Sequence, residues 1–161
     1  MKMNLITKLL LPISISLVAI MPLSAEVYAK GNQIQGFKAK DQHGEAFELK
    51  PKMIQYLLVS HDMETGKKAN SYLTTLDKNY LINKKAVYLA NIYGMPGIGR
   101  FFAIPKMKKY THRIILGDDE TLIAKFPEEL GKVTVMEISG GTIQSIRFWD
   151  PNTTSLDQLL P

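Results

Sequence analysis

The sequence predicts an α/β domain, a mixed central sheet flanked by helices, with a β-hairpin at its N-terminal end and a β-hairpin plus helix at its C-terminal end. Three observations carry this. Residues 53–60 and 86–93 are apolar runs of strand length, the pattern of strands covered on both faces. Between them Ala69, Tyr72, Leu73, Leu76 and Tyr80 recur at three- and four-residue steps, the buried stripe of a helix. Gly140-Gly141 separates two further strand-like segments, a turn signal for an antiparallel pair.

The first 29 residues stand apart. Lys2 and Lys8 accompany an apolar run over residues 9–23, and small residues follow, with Val27 and Ala29 at the −3 and −1 positions of a cleavage site. Charge, apolar run and small residues in that order describe a secretory signal peptide. Pro12, Ser14, Ser16 and Pro22 weigh against a membrane anchor, which needs ~20 mostly apolar residues. Cleavage is expected near Ala29, with Ala25 as a second site whose −3 residue, Leu23, is poorer. The protein is thus expected to be periplasmic or secreted, with residues 30–161 as a single domain. A chain of that length supports its own core without disulfides.

The remaining elements follow in order. FKAKDQHGEAFEL sets Phe37 and Ala39, then Phe47 and Leu49, on either side of the turn Asp41-Gln42-His43-Gly44, which reads as a hairpin. The first central strand passes through His61, Asp62, Met63 and Glu64 into a helix expected over residues 64–81. The second passes through GMPGIGR into a helical segment over residues 98–104, which Pro105 ends or restarts. Residues 112–116 read as a third strand. Asp118 and Asp119 cap a short helix running to Phe126, where Pro127 stops it. Residues 132–139 and 142–149 form the closing hairpin. Thr154 and Asp157 fit a capping box for a last helix in TTSLDQLL. Met53 and Met136 are expected in the core, and Phe101, Phe102 and Met107 on the buried side of their helix.

This order resembles the thioredoxin superfamily, especially its peroxiredoxin-like and exported branches. FKAKDQHGEAFEL is similar to their opening hairpin, and IQYLLVSHDMETGKKANSYL to their first central strand and active-site helix. VTVMEISGGTIQSIRFWDPNTTSLDQLL is similar to their closing hairpin and final helix. The resemblance implies a thioredoxin-like sandwich. In a redox member it also implies one or two cysteines in the loop over residues 61–67 and a cis-proline opening the strand that faces it. The chain has no cysteine, and the facing strand opens with Lys132-Val133. Thiol–disulfide exchange, thiol peroxidase chemistry and cysteine metal sites are therefore excluded.

Other chemistry has few carriers. Ser60-His61-Asp62 holds the residue types of a hydrolase triad, but consecutive residues leaving a strand point to alternate sides, so no relay forms. His61 and Met63 pair an imidazole with a thioether, ligands that suit copper; His43 and His112 could join them only through folding. GMPGIGR lacks the third glycine of a dinucleotide fingerprint, although Gly97, backbone amides and Arg100 could hold a small anion. Asp118, Asp119 and Glu120 read as capping residues, and Glu128-Glu129 as a solvated turn. The full chain carries a formal charge of +5, and Lys106, Lys108, Lys109 and Arg113 form a basic cluster. An exported location argues against nucleic acid, leaving an anionic membrane surface or an envelope protein as partner.

The expectation is a non-catalytic binding module without thiol chemistry. Its contact surface would comprise His61, Asp62, Met63 and Glu64, Gly97 and Arg100, and Lys132 and Val133. The alternative is a copper-binding protein using His61 and Met63.

Overall fold

Residues 26–161 are described by the computed structural model; residues 1–25, most of the expected signal peptide, lie outside them. The opening hairpin pairs β1 (Lys38–Asp41) with β2 (Ala46–Glu48). The centre follows as β3 (Tyr56–Ser60), α1 (Met63–Thr74), α2 (Tyr80–Asn83), β4 (Ala86–Asn91), α3 (Gly97–Met107), β5 (Ile115–Gly117) and α4 (Glu120–Ile123). The closing hairpin is β6 (Val133–Ser139) and β7 (Thr142–Trp149). All seven strands join one mixed sheet in the order β2-β1-β5-β4-β3-β6-β7. β3, β4 and β5 run parallel, and β6 and β1 flank them antiparallel.

The unbroken apolar run of β3 has a direct structural cause. Tyr56 and Leu58 face a core that includes Ala69, Leu73, Tyr88, Trp149, Leu156 and Leu160. Leu57 and Val59 face the other core, with Leu89, Phe126, Met136 and Ile143. Both faces of the sheet are covered, so neither phase of the strand can be polar.

Several boundaries differ from expectation. The single helix over residues 64–81 is two. Thr74 Oγ1 donates to Asn70 O at 2.8 Å, Thr75 Oγ1 to Tyr72 O at 2.7 Å, and Asp77 Oδ1 accepts from Asn79 N–H at 2.8 Å. These short side chains compete for backbone groups and break the helix between Thr74 and Tyr80. Met53 is 71% exposed, because Pro51–Met53 is a 3-10 turn before the strand. The third strand starts at Ile115 because the Gln42 carboxamide takes the strand's place upstream, donating to His112 O and accepting from Ile114 N–H.

α3 runs through Pro105 and buries none of its residues; Phe101 is 70% and Phe102 59% exposed, against the expectation for both. The last helix is only a 3-10 turn, Leu156–Gln158. Asp157 accepts from Tyr80 Oη at 2.7 Å and does not cap. α4 ends at Ile123 and not at Phe126; Asp119 caps its start by accepting from Leu122 N–H, while Asp118 binds Arg100 instead. Met136 is fully buried and Glu128 and Glu129 are exposed, as expected.

Candidate binding site

The loop after β3 is chemically saturated. Ser60 Oγ lies 2.9 Å from Tyr88 Oη. Burial pushes the Tyr88 hydroxyl above its usual range, so Ser60 has no base beside it. Thr134 Oγ1 donates to Pro127 O, so it must accept from His61 Nε2 at 3.0 Å. Burial lowers the His61 pKa, and the nearby Glu128 charge and a Pro127 backbone hydrogen bond only partly oppose it. Asp62 caps α1, accepting from Thr65 N–H at 2.8 Å and Thr65 Oγ1 at 2.6 Å. Burial would raise its pKa, yet those bonds hold the carboxyl below its usual range. Three potential triad members thus point to three different partners.

The remaining candidate residues separate into those that face a common space and those that hold the fold. Arg100 is a clamp: its guanidinium makes a bidentate pair with Asp118 at 2.5 and 2.6 Å and donates to Met95 O and Ile92 O. The small anion expected there has lost its cation to Asp118. Val133 is fully buried and presents no side chain at the surface, and Lys132 pairs with Glu129. Gly97 opens α3 on an exposed edge, and Glu64 pairs loosely with Lys68 at 3.8 Å. Arg113 is engaged by Asp41 at 2.9 Å and lies over the Phe47 ring. No cis peptide bond occurs among the described residues.

His61 and Met63 diverge: His61 is tied to β6, whereas Met63 lines a cavity that does not include His61. His112 is buried and bound to Asn70, and His43 is exposed in the opening turn. Among the described residues no three His, Cys, Asp or Glu side chains converge as metal ligands.

What the structure does assemble is a cavity of about 260 Å³ between α1 and α3, over the ends of β3 and β4. Met63, Gly66, Lys67 and Asn70 of α1 line one wall. Gly99, Phe102, Ala103, Lys106 and Met107 of α3, with Tyr110 beyond it, line the other. Both sets follow three- and four-residue steps, so each is one helical face. Ser60, Ala90 and Asn91 form the floor, and Met95 reaches in from the loop before α3. Met63, Ile98, Phe101 and Phe102, all more than half exposed, continue the apolar surface along these two helices. Of the residues expected at the contact surface, Asp62 and Met63 line this cavity. Asn70, Met95 and the α3 wall join them, and the spacing of Phe102 and Met107 marks that wall as apolar without telling a cavity lining from a core.

No family model matches the chain in sequence, and no curated protein does. Solved structures match it in shape. The thioredoxin domain of a thiol-disulfide oxidoreductase from Bacteroides vulgatus superposes with a TM-score of 0.53 at 15% identity, covering 83% of this chain and 99% of that one. A protein from Chlorobium tepidum assigned as a thiol:disulfide interchange protein gives 0.56 at 12% identity, covering 81% and 94%. Peroxidoxin from Mycobacterium tuberculosis gives 0.51 at 13% identity, covering 76% and 88%. Strand order, the mixed sheet and these superpositions agree: the chain has the thioredoxin-like fold, carried without a cysteine.

Proposed function

We propose that this protein is an exported, non-catalytic binding protein that uses the α1–α3 face of a thioredoxin-like scaffold as its contact site. One observation carries the reading: two helical faces stand apart over a 260 Å³ cavity, with exposed Met63, Phe101 and Phe102 beside it. Large apolar side chains left in water next to a formed pocket mark interaction sites. The saturated loop supports a non-catalytic role, since Ser60, His61 and Asp62 each spend their hydrogen-bonding capacity within the fold. Export rests on the signal-peptide pattern of the first 29 residues, and an envelope component is the partner that location supplies. Exposed Lys106, Lys108 and Lys109 add positive charge to the same helix and its end.

The test is site-specific photo-crosslinking in the cell that exports the protein. A photoreactive residue at Phe101 should give a discrete adduct, whereas one at Ile82, 71% exposed on α2, should not. Equal labelling at both positions, or none at Phe101, would remove the α1–α3 face from consideration.

A further inference from the structure

We infer that the cavity between α1 and α3 takes a small amphipathic carboxylate: a compact apolar chain ending in a monoanionic head. This deepens the proposed function and rests on its assignment of the α1–α3 face. The cavity is polarised along its length. α1 follows β3 and α3 follows β4, and those strands are parallel. Both helices therefore start at the same edge of the sheet and run back the same way, so residues at similar depth meet across the gap. Met63, Met95, Gly99 and Phe102 line the end at the helix starts, beside Asp62, whose carboxylate is held by Thr65. Lys67, Asn70 and Lys106, with Met107 and Tyr110, line the other end, about one to two turns further along.

Asn70 is the informative residue. Its side chain is 2% exposed, yet it lines the cavity. Its Oδ1 lies 2.8 Å from His112 Nε2. With the imidazole proton on Nε2, His112 donates to that oxygen and turns the carboxamide Nδ2 toward the cavity. Nδ2 takes no hydrogen bond among the described residues and is not sealed from the cavity, so this donor is open to whatever occupies that space. One donor and two lysines toward one end call for an anion with acceptor oxygens, and the methionine and phenylalanine end calls for an apolar body.

Size sets the class. A water occupies ~30 Å³ of liquid, so the cavity holds on the order of nine or ten non-hydrogen atoms. Octanoate matches that size and polarity and is the probe of choice. Two-dimensional NMR of methyl-labelled methionines follows Met63, Met95 and Met107 in the cavity, with exposed Met53 and core Met136 as references.

Octanoate should bind saturably, with a Kd below about 1 mM, and at least about tenfold more tightly than octan-1-ol. Octylammonium should move none of these signals. Lys67→Ala/Lys106→Ala, two exposed positions, should bring octanoate to the octanol affinity. Ala103→Trp should abolish binding by filling the gap. Absence of saturation by octanoate, equal affinity for octanol, or octanoate binding unaltered in Ala103→Trp overturns the inference. Phe101 crosslinks that persist when octanoate fails would mean that the face is right and the ligand class wrong. Loss of both would remove the site itself.

Discussion

Lowering the pH from 7 to 5 is expected to destabilise the protein through His112. Its side chain is 4% exposed, Nε2 is committed to Asn70, and Nδ1 is buried without a partner. A second proton would have to go onto Nδ1, and burial holds the pKa down to about 4, against an ordinary value of 6.5. The imidazole is therefore neutral in the fold, while the unfolded chain takes up a proton as the pH falls through 6.5. Stability present above that value is lost progressively toward pH 4. Linkage over this interval gives a loss of about 2 kcal/mol by pH 5 and about 3 kcal/mol by pH 4. The stacked Tyr110 ring, 5.6 Å away, can return some of this through a cation–π contact, up to ~1 kcal/mol.

Neighbouring titrations do not obscure the effect. His61 is also shifted down by burial, so its contribution has the same sign, begins as the pH falls through 6.5, and is common to both proteins compared. Burial works against a low pKa at Asp41 and Asp62, but hydrogen bonds outweigh it and hold both carboxyls below their usual range. Their contributions are present above pH ~4 and lost only below it. The assay is urea unfolding of the wild type and His112→Gln at pH 7, 6 and 5. Glutamine keeps a donor toward Asn70 and does not titrate. The wild type should lose about 2 kcal/mol more than the variant between pH 7 and 5, at unchanged urea dependence. Parallel pH profiles for the two proteins would refute the assignment to His112.

Three further outcomes follow from particular contacts. Arg100→Ala removes the bidentate pair with Asp118 and the bonds to two carbonyls; it should lower the urea midpoint, and Arg100→Lys, which cannot reproduce the planar fork, should not restore it. Tyr28 is buried against Phe126, its N–H donates to Lys125 O at 2.7 Å, and its hydroxyl accepts from Gln35 N–H. These contacts favour Ala25, the second of the two sites read from the sequence, over Ala29 as the point where a leader is removed; a mature mass beginning at Glu26 is expected, and a start at Lys30 would refute this. Copper titration of the wild type and of His61→Ala/Met63→Ala should give the same weak binding, because the two side chains face different neighbours; a stoichiometric site lost in the variant would restore the metal reading.

The fold was legible because its signals are local. Two mainly apolar runs of strand length read as strands covered on both faces, and Gly140-Gly141 as a sharp turn, so order and sheet followed. The site was less legible because it depends on which side chain takes which partner. Arg100 looks like an anion ligand until Asp118, eighteen residues on, is seen to occupy it. His61 and Met63, two residues apart, look like a ligand pair until β6 claims the first. Phe101 and Phe102 have core chemistry and spacing, and only the tertiary structure shows that nothing covers them. Periodicity reports that a helical face is apolar and is silent on what it meets.

The unfilled gap also makes a claim about stability. Gly66, Ala90, Gly99 and Ala103 all line the cavity, and small residues on facing elements ordinarily let helices close up. Here they hold the walls back, while Phe102 and Met63 remain more than half exposed. A chain optimised only for folding would fill this space. Ala103→Leu, on a helix and pointing into the cavity, adds three carbons at ~0.8 kcal/mol each when buried, so partial burial should stabilise the protein by about 1 kcal/mol. The same variant should weaken octanoate binding at least about tenfold. Stability gained with binding lost is the signature of a space kept open for use. Ala103→Leu that destabilises the protein, or stabilises it with octanoate binding intact, would mean that the gap is only imperfect packing.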